Sequence, residues 1–145
     1  MRAVVDADLA SLEILAVEDH EDTRKLLKMI LQFSGASVTA VESGEAALAA
    51  IKQLKPDIIL CDLCMPYMDG FELIRRIRDL GGERGAVPAI ACTALGSEED
   101  IVRTQRSTFQ AHLTKPFDPR LLVTTIIDVI HSRQETSSTE SSPEN

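Results

Sequence analysis

Short apolar and β-branched runs alternate along the chain with longer stretches in which apolar positions recur every three or four residues. The runs are LEILAV (12–17), SVTAV (37–41), DIILC (57–61), PAIAC (88–92) and AHLT (111–114). Each is too short for a helix and rich in residues that fit a pleated surface, so each predicts a strand. Their nearly unbroken apolar character predicts strands covered on both faces, as in a parallel sheet.

The stretches between them read as helices. EDTRKLLKMILQFSG (21–35) places Leu26, Leu27, Ile30, Leu31 and Phe33 mostly at helical spacing and stops at Gly35. SGEAALAAIKQLKP (43–56) has Ser43 as its N-cap and ends before Pro56. GFELIRRIRDLGG (70–82) closes on Gly81 and Gly82. SEEDIVRTQRST (97–108) carries acids in its first turn, where the helix dipole favours them. DPRLLVTTIIDVIHSR (118–133) has Asp118 at the N-cap and Pro119 at the first helical position. Its apolar positions, from Leu121 to Ile130, spread wider than one stripe and leave two uses open, core or a face for a partner. Five strands alternating with five helices predict an α/β fold around one parallel sheet. Residues 1–11 read as a lead-in, 12–133 as one ordered domain and QETSSTESSPEN (134–145), with nothing apolar to bury, as a disordered polar tail.

The length of 145 residues suits one domain with a full core, and 44% apolar with 26% charged residues is an ordinary globular composition. No apolar run approaches the roughly 20 residues of a membrane span. Asp6, Asp8 and Glu13 break up the N-terminus, which lacks the pattern of a secretory signal, so a cytoplasmic location is expected. The net charge of -8 argues against nucleic acid as a partner. Arg75, Arg76 and Arg78, set among Leu73, Ile74 and Ile77, read as a solvated helix face. Cys61 and Cys64 form a C-x-x-C that does not open a helix, and His20, His112 and His131 lie at no ligand spacing from it. With Cys92 they read as small buried thiols in a reducing compartment.

Ligands of open parallel sheets bind outside the C-terminal ends of the strands. Glu18 and Asp19 follow the first run, Asp62 the third, Thr93 the fourth, and Lys115 with Pro116 the fifth. Any one of these residues, taken alone, is better explained by a cap or a simple ion pair. Together they place three carboxylates, a hydroxyl and an ammonium on one sheet edge. Three close carboxylates repel, and a hard divalent cation relieves that repulsion. Mg2+, or Mn2+ in its place, fits: it takes oxygen ligands from one or two carboxylates and keeps sites for a phosphate. Lys115 would supply a point charge to that phosphate and Thr93 a hydrogen bond. An aspartate so held acts as a nucleophile that becomes an aspartyl phosphate.

The set resembles the receiver domain of two-component response regulators, through the pair Glu18 and Asp19, the DLCMPYMDG loop from Asp62, Thr93 followed by Ala94, and KPF at Lys115. The likeness spans about Leu12 to Arg133. It implies a doubly wound, CheY-like (flavodoxin-like) fold with strand order 2-1-3-4-5. It also implies phosphoryl transfer to Asp62 from a histidine kinase or histidine phosphotransfer protein, with no catalysis beyond the domain's own phosphorylation and dephosphorylation. By the same resemblance Asp19, Asp62 and the Cys64 carbonyl ligate Mg2+, with Glu18 acting mostly through water. Lys115 and the backbone at Leu63 and Ala94 meet the phosphoryl group, Thr93 and His112 form the switch, and the Lys115–Pro116 bond is cis. The implied output is a protein bound through the fourth helix, fifth strand and fifth helix, by a monomer or a phosphorylation-dependent homodimer.

Four positions depart from the family pattern, in three ways. His112 stands where an aromatic switch residue is usual, and an imidazole there would make the switch pH-sensitive. Thr108 replaces a common glycine. Cys64 and Leu95, each two residues beyond Asp62 and Thr93, offer no carboxylate or amide to orient an attacking water, so a long-lived phosphorylated state is expected. The lead-in and FQAHLTKPFDPRLL look like receivers joined to hybrid sensor kinases, and a solitary receiver is the other expectation. Two rival readings are a haloacid-dehalogenase-like phosphatase, which would want an Asp at position 64, and a non-phosphorylated pseudo-receiver acting as a binding module.

Overall fold

The computed structural model describes residues 9–94, 102–104 and 106–141. Five parallel strands, β1 (Glu13–Val17), β2 (Ser37–Val41), β3 (Ile58–Asp62), β4 (Ala89–Thr93) and β5 (Ala111–Thr114), form one sheet in the order β2-β1-β3-β4-β5. Each lies within one residue of the run that predicts it. The helices are α1 (Glu21–Phe33), α2 (Gly44–Ile51), α3 (Gly70–Asp79), a short α4 (Gly82–Gly85) and α5 (Pro119–Ser141). The turn α4 was not anticipated. Gly81 and Gly82, read as a stop, adopt φ of 70° and 65° and turn the chain into it. Most of the helix expected over 97–108 lies outside the described residues; 102–104 and 106 are helical.

Period-two alternation splits the strands between two cores. Leu15, Val17, Ile59 and Cys61 face α2 and α3 through Ala47, Ile51, Leu73, Ile74 and Ile77. Ile14, Ala16, Ile58, Leu60, Ile90 and Cys92 face α1 and α5 through Leu27, Leu31, Leu122, Val123 and Ile126. Leu9, assigned to the lead-in from sequence, is fully buried in this second core, tied by its N–H to the Ser34 carbonyl at 2.8 Å.

Two caps follow the sequence reading: Ser43 Oγ accepts from the Ala46 N–H at 3.0 Å and Asp118 Oδ1 from Arg120 at 3.0 Å. A third, Asp69 Oδ1 accepting from the Glu72 N–H at 2.8 Å, was not read from the sequence. Two helices depart from it. On α1, Leu27 and Leu31 are buried, whereas Leu26 (51% exposed), Met29 (65%) and Phe33 (72%) form an outward stripe. The sheet and α5 cover only the side of α1 that carries Leu27 and Leu31. The last helix continues to Ser141, past the boundary at Arg133. Residues 142–145 lie outside the described residues. No helix among the described residues is long and apolar enough to cross a membrane.

Candidate functional site

The register carries the strand ends to one level. Val17 pairs with Cys61, which puts Glu18 beside Asp62; Asp62 pairs with Cys92, and Thr93 with Thr114, one residue before Lys115. Carboxylate oxygens of Glu18, Asp19 and Asp62 consequently lie within 4.8 Å of one another. Glu18 (1% exposed) and Asp62 (4%) are buried, and Asp19 faces out. Lys115 Nζ reaches Glu18 Oε1 at 2.6 Å and Asp62 Oδ1 at 3.2 Å. Thr93 is buried at the end of β4, and its carbonyl accepts from the Lys115 N–H at 2.8 Å. The Lys115–Pro116 bond is cis. Of the predicted set, Glu18, Asp19, Asp62, Thr93 and Lys115 all meet at this edge.

The opposing charges set the protonation of the cluster. Burial, first, then a hydrogen bond from Asp19 and the charge of Glu18 push the Asp62 carboxyl from 3.8 to about 7, against the pull of Lys115 and the Cys64 N–H. Burial works to lower the Lys115 ammonium, but its bond to Glu18 and the charges of Asp62 and Glu18 outweigh it, so the ammonium is raised. One ammonium does not neutralise three carboxylates. The donor set of Glu18, Asp19 and Asp62 is all oxygen, crowded and electrostatically unsatisfied, which fits a small hard divalent ion.

Several contacts were not legible in the sequence. Arg24, one turn into α1, donates through Nη1 to the main-chain carbonyls of Glu18 (3.0 Å) and Asp19 (3.4 Å), fixing the acidic pair from below. His20 caps α1, its Nδ1 accepting from the Thr23 N–H at 3.3 Å, while its own N–H donates to Glu18 Oε2 at 3.1 Å. Histidine is not a usual N-cap residue, so the sequence offered no signal. Gly70 allows α3 to start against the loop after Asp62: a Cβ there would stand 2.5 Å from the Asp62 carbonyl oxygen and 2.9 Å from Leu63 Cα.

Other expectations need correction or a boundary. The Leu63 N–H, expected to face a phosphoryl group, donates to the Cys92 carbonyl at 2.9 Å because the β3–β4 ladder runs one residue further. The amide beside the Asp62 carboxylate is that of Cys64, at 3.2 Å from Oδ1. Cys61 and Cys92 are buried thiols, and burial pushes Cys92 up to about 12, which keeps it protonated and inert. Cys64 is exposed instead, since it lies in the loop past the strand. His112 is half-buried on β5, paired with Ala91. Ala94 is exposed just past β4, and Leu95 lies outside the described residues.

Arg78 also departs from the solvated face assigned to it. Arg75 and Arg76 do pair with Glu72 on the surface, at 2.6 and 2.7 Å. Arg78 turns the other way: Nη1 donates to the Gly85 (2.9 Å) and Val87 carbonyls, Nε to Thr108 Oγ1 (2.8 Å) and Nη2 to the Thr108 carbonyl (2.6 Å). Thr108, which stands in place of a glycine, is thus clamped to α3.

Comparisons with known proteins agree with this geometry. The family model described as "Response regulator receiver domain" matches residues 14–127. An uncharacterized 14.6 kDa protein of Leptolyngbya boryana is 46% identical over 116 residues, 79% of this chain and 87% of that protein. The transcriptional regulatory protein ResD of Bacillus subtilis is 34% identical over 125 residues, 86% of this chain and 50% of that protein. The chain spans about half the length of such regulators. Among solved structures, chemotaxis protein CheY4 of Vibrio cholerae superposes with a TM-score of 0.78 at 30% identity, covering 83% of this chain and 99% of that one. The receiver domain of sensor histidine kinase PA1611 from Pseudomonas aeruginosa, which holds a magnesium ion in its active-site cleft, gives 0.77 at 30%, covering 84% and 99%.

Proposed function

The chain belongs to the response regulator receiver domain family of two-component signalling, and on that premise we propose that Asp62 is its phosphoacceptor. The observation that carries this is the Asp62 carboxylate buried between Glu18, Asp19 and Lys115, at the level of Thr93, on the C-terminal edge of the sheet. The donor is a phosphohistidine of a sensor kinase or phosphotransfer protein. An Asp62 carboxylate oxygen forms the new bond to phosphorus as the bond from phosphorus to the imidazole nitrogen breaks, and the imidazole keeps the electron pair. Lys115 then pairs with a phosphoryl oxygen, and the amides of Cys64 and Ala94 with the Thr93 hydroxyl bind the others. A Mg2+ ion held by Asp19, Asp62 and the Cys64 carbonyl supplies charge neutralisation at this site. Glu18, already bonded to Lys115 and the His20 N–H, contributes to it through water.

Thr93 and His112 then report occupancy of the pocket to a protein partner at the face built by 102–108, β5 and α5. Leu121 on α5 is exposed, and Ile127 and Ile130 are partly buried against the second core. Cys64 and Leu95 offer no carboxylate or amide to orient an attacking water, and the phosphorylated form is long-lived. Leu95→Gln should shorten its lifetime; an unchanged lifetime would count against that part of the reading.

The test is intact mass after incubation with Mg2+ and acetyl phosphate. One added phosphoryl group, dependent on Mg2+ and absent from Asp62→Asn, is the expected result. A folded protein that neither gains the group nor binds beryllium fluoride would overturn the reading in favour of a pseudo-receiver.

A further inference from the structure

The opposite edge of the sheet, where the strands begin, holds a cleft of about 550 Å³ that the phosphoacceptor chemistry does not use. Its apolar wall is Leu12, Val87 and Ile130, and Lys55, Arg84 and Arg133 bring three cations to it. That volume lies within the range of small-ligand sites, which combine an apolar wall with a few placed polar groups.

Arg84 is positioned but not neutralised, and Arg133 is exposed without an ion pair among the described residues. Arg84 is held by main-chain carbonyls, Nε to Ile51 at 2.8 Å and Nη2 to Lys52 at 3.1 Å. Arg78 stands behind the wall on the Gly85 and Val87 carbonyls, near enough to Arg133 that the two like charges oppose each other. Among the described residues none of Arg78, Arg84 and Arg133 forms an ion pair, in a chain whose net charge is -8. The two acids at the cleft do not fill that role. Asp57 Oδ2 is engaged by the Glu13 N–H at 2.8 Å, and Glu83 reaches only Lys55, at 4.0 Å between exposed side chains. A guanidinium fixed in advance by carbonyls, as that of Arg84 is, loses little freedom on meeting an anion, and the planar guanidinium suits phosphate oxygens.

We propose that this cleft binds a small phosphate-bearing anion, a diphosphate or a nucleotide of similar charge, between Arg84, Arg133 and Lys55. The phosphates sit among the three cations, and any organic body lies on Leu12, Val87 and Ile130. The site is separate from the acidic pocket, at the other end of the strands, and does not depend on phosphorylation of Asp62.

The experiment titrates the full chain, in EDTA so that no divalent ion recruits phosphate to the acidic pocket, with ADP and separately with pyrophosphate. Binding is followed by calorimetry and by amide chemical shifts. The expected result is saturable binding, weakened by salt, with shifts at Leu12, Val87 and Ile130. The doubly substituted Lys55→Gln, Arg133→Gln protein should bind about tenfold or more weakly, since charge-assisted hydrogen bonds are lost. Both side chains are exposed, so that variant keeps its fold. ADP bound more tightly than pyrophosphate assigns a nucleotide; equal binding assigns inorganic diphosphate. No saturation, shifts centred on Asp62, or undiminished binding by the variant would each overturn the proposal.

Discussion

At the C-terminal edge of the sheet Glu18, Asp19 and Asp62 crowd together with one ammonium, whereas at the N-terminal edge Arg78 and Arg84 direct their donors to main-chain carbonyls. The first arrangement leaves charge unbalanced and holds Asp62 near pH 7; the second uses charge to tie turns together. The difference is one of partner. A carboxylate facing carboxylates is destabilising until a cation or phosphoryl chemistry arrives, while a guanidinium on carbonyls satisfies buried acceptors by itself. Removing a charge should therefore stabilise one edge and destabilise the other.

The largest effect is expected at the N-terminal edge. Arg78→Ala strips the donors from the Gly85, Val87 and Thr108 carbonyls at once and should lower unfolding stability by about 3 kcal/mol, read from the urea midpoint. Arg78→Lys keeps the charge but not the fork, and should recover less than half of the loss. A fully stable Arg78→Ala protein would remove this side of the contrast.

At the acidic edge the sign reverses. In metal-free buffer Asp62→Asn should raise stability at pH 8 by about 2 kcal/mol, because the folded state no longer holds an ionised carboxylate beside two others. The pH dependence follows from the raised value. Between about 4 and 7 the folded protein holds a proton on Asp62 that the unfolded chain has released, so wild-type stability falls as pH rises through that window and is level above it. The Asn variant should lack the slope, and Mg2+ should narrow its advantage by stabilising only the wild type. Parallel wild-type and variant curves in EDTA would show that the cluster is already neutralised.

Gly70→Ala separates geometry from charge at the same edge. The added methyl would meet the Asp62 carbonyl oxygen and Leu63 backbone, and should lower stability by about 2 kcal/mol independently of pH and Mg2+. A loss that vanished at pH 4 would instead attribute the effect to Asp62 ionisation.

The acidic edge was far more legible in the sequence than the opposite one. Asp62, Lys115 and their neighbours each follow an apolar run, and strand ends in a parallel sheet converge whatever the loops do, so residue type and position sufficed. Arg78 shares its residue type and its helix with Arg75 and Arg76; only the tertiary position of 85–87 and Thr108 turns it inward. The same limit applies on α1, where the spacing of Leu26, Leu27, Ile30, Leu31 and Phe33 marks an apolar sector but not how much of it the sheet covers. Leu9 lay outside any periodic run, and α4 rests on two glycines that read equally well as a stop.

The smallest effect tests how specific the clamp is. Thr108 contributes two acceptors to Arg78, its hydroxyl and its carbonyl, and only the hydroxyl depends on the side chain. Thr108→Gly removes that one and loosens the backbone, so it should lower stability by about 1 kcal/mol, while Thr108→Ser should be nearly neutral. Combined with Arg78→Ala, the hydroxyl has no donor left to lose, so the Thr108→Ser and Thr108→Val proteins should then differ by less than in the wild-type background. If the double-mutant cycle shows no coupling, Thr108 merely stands beside Arg78, and the clamp at this edge is made by carbonyls alone.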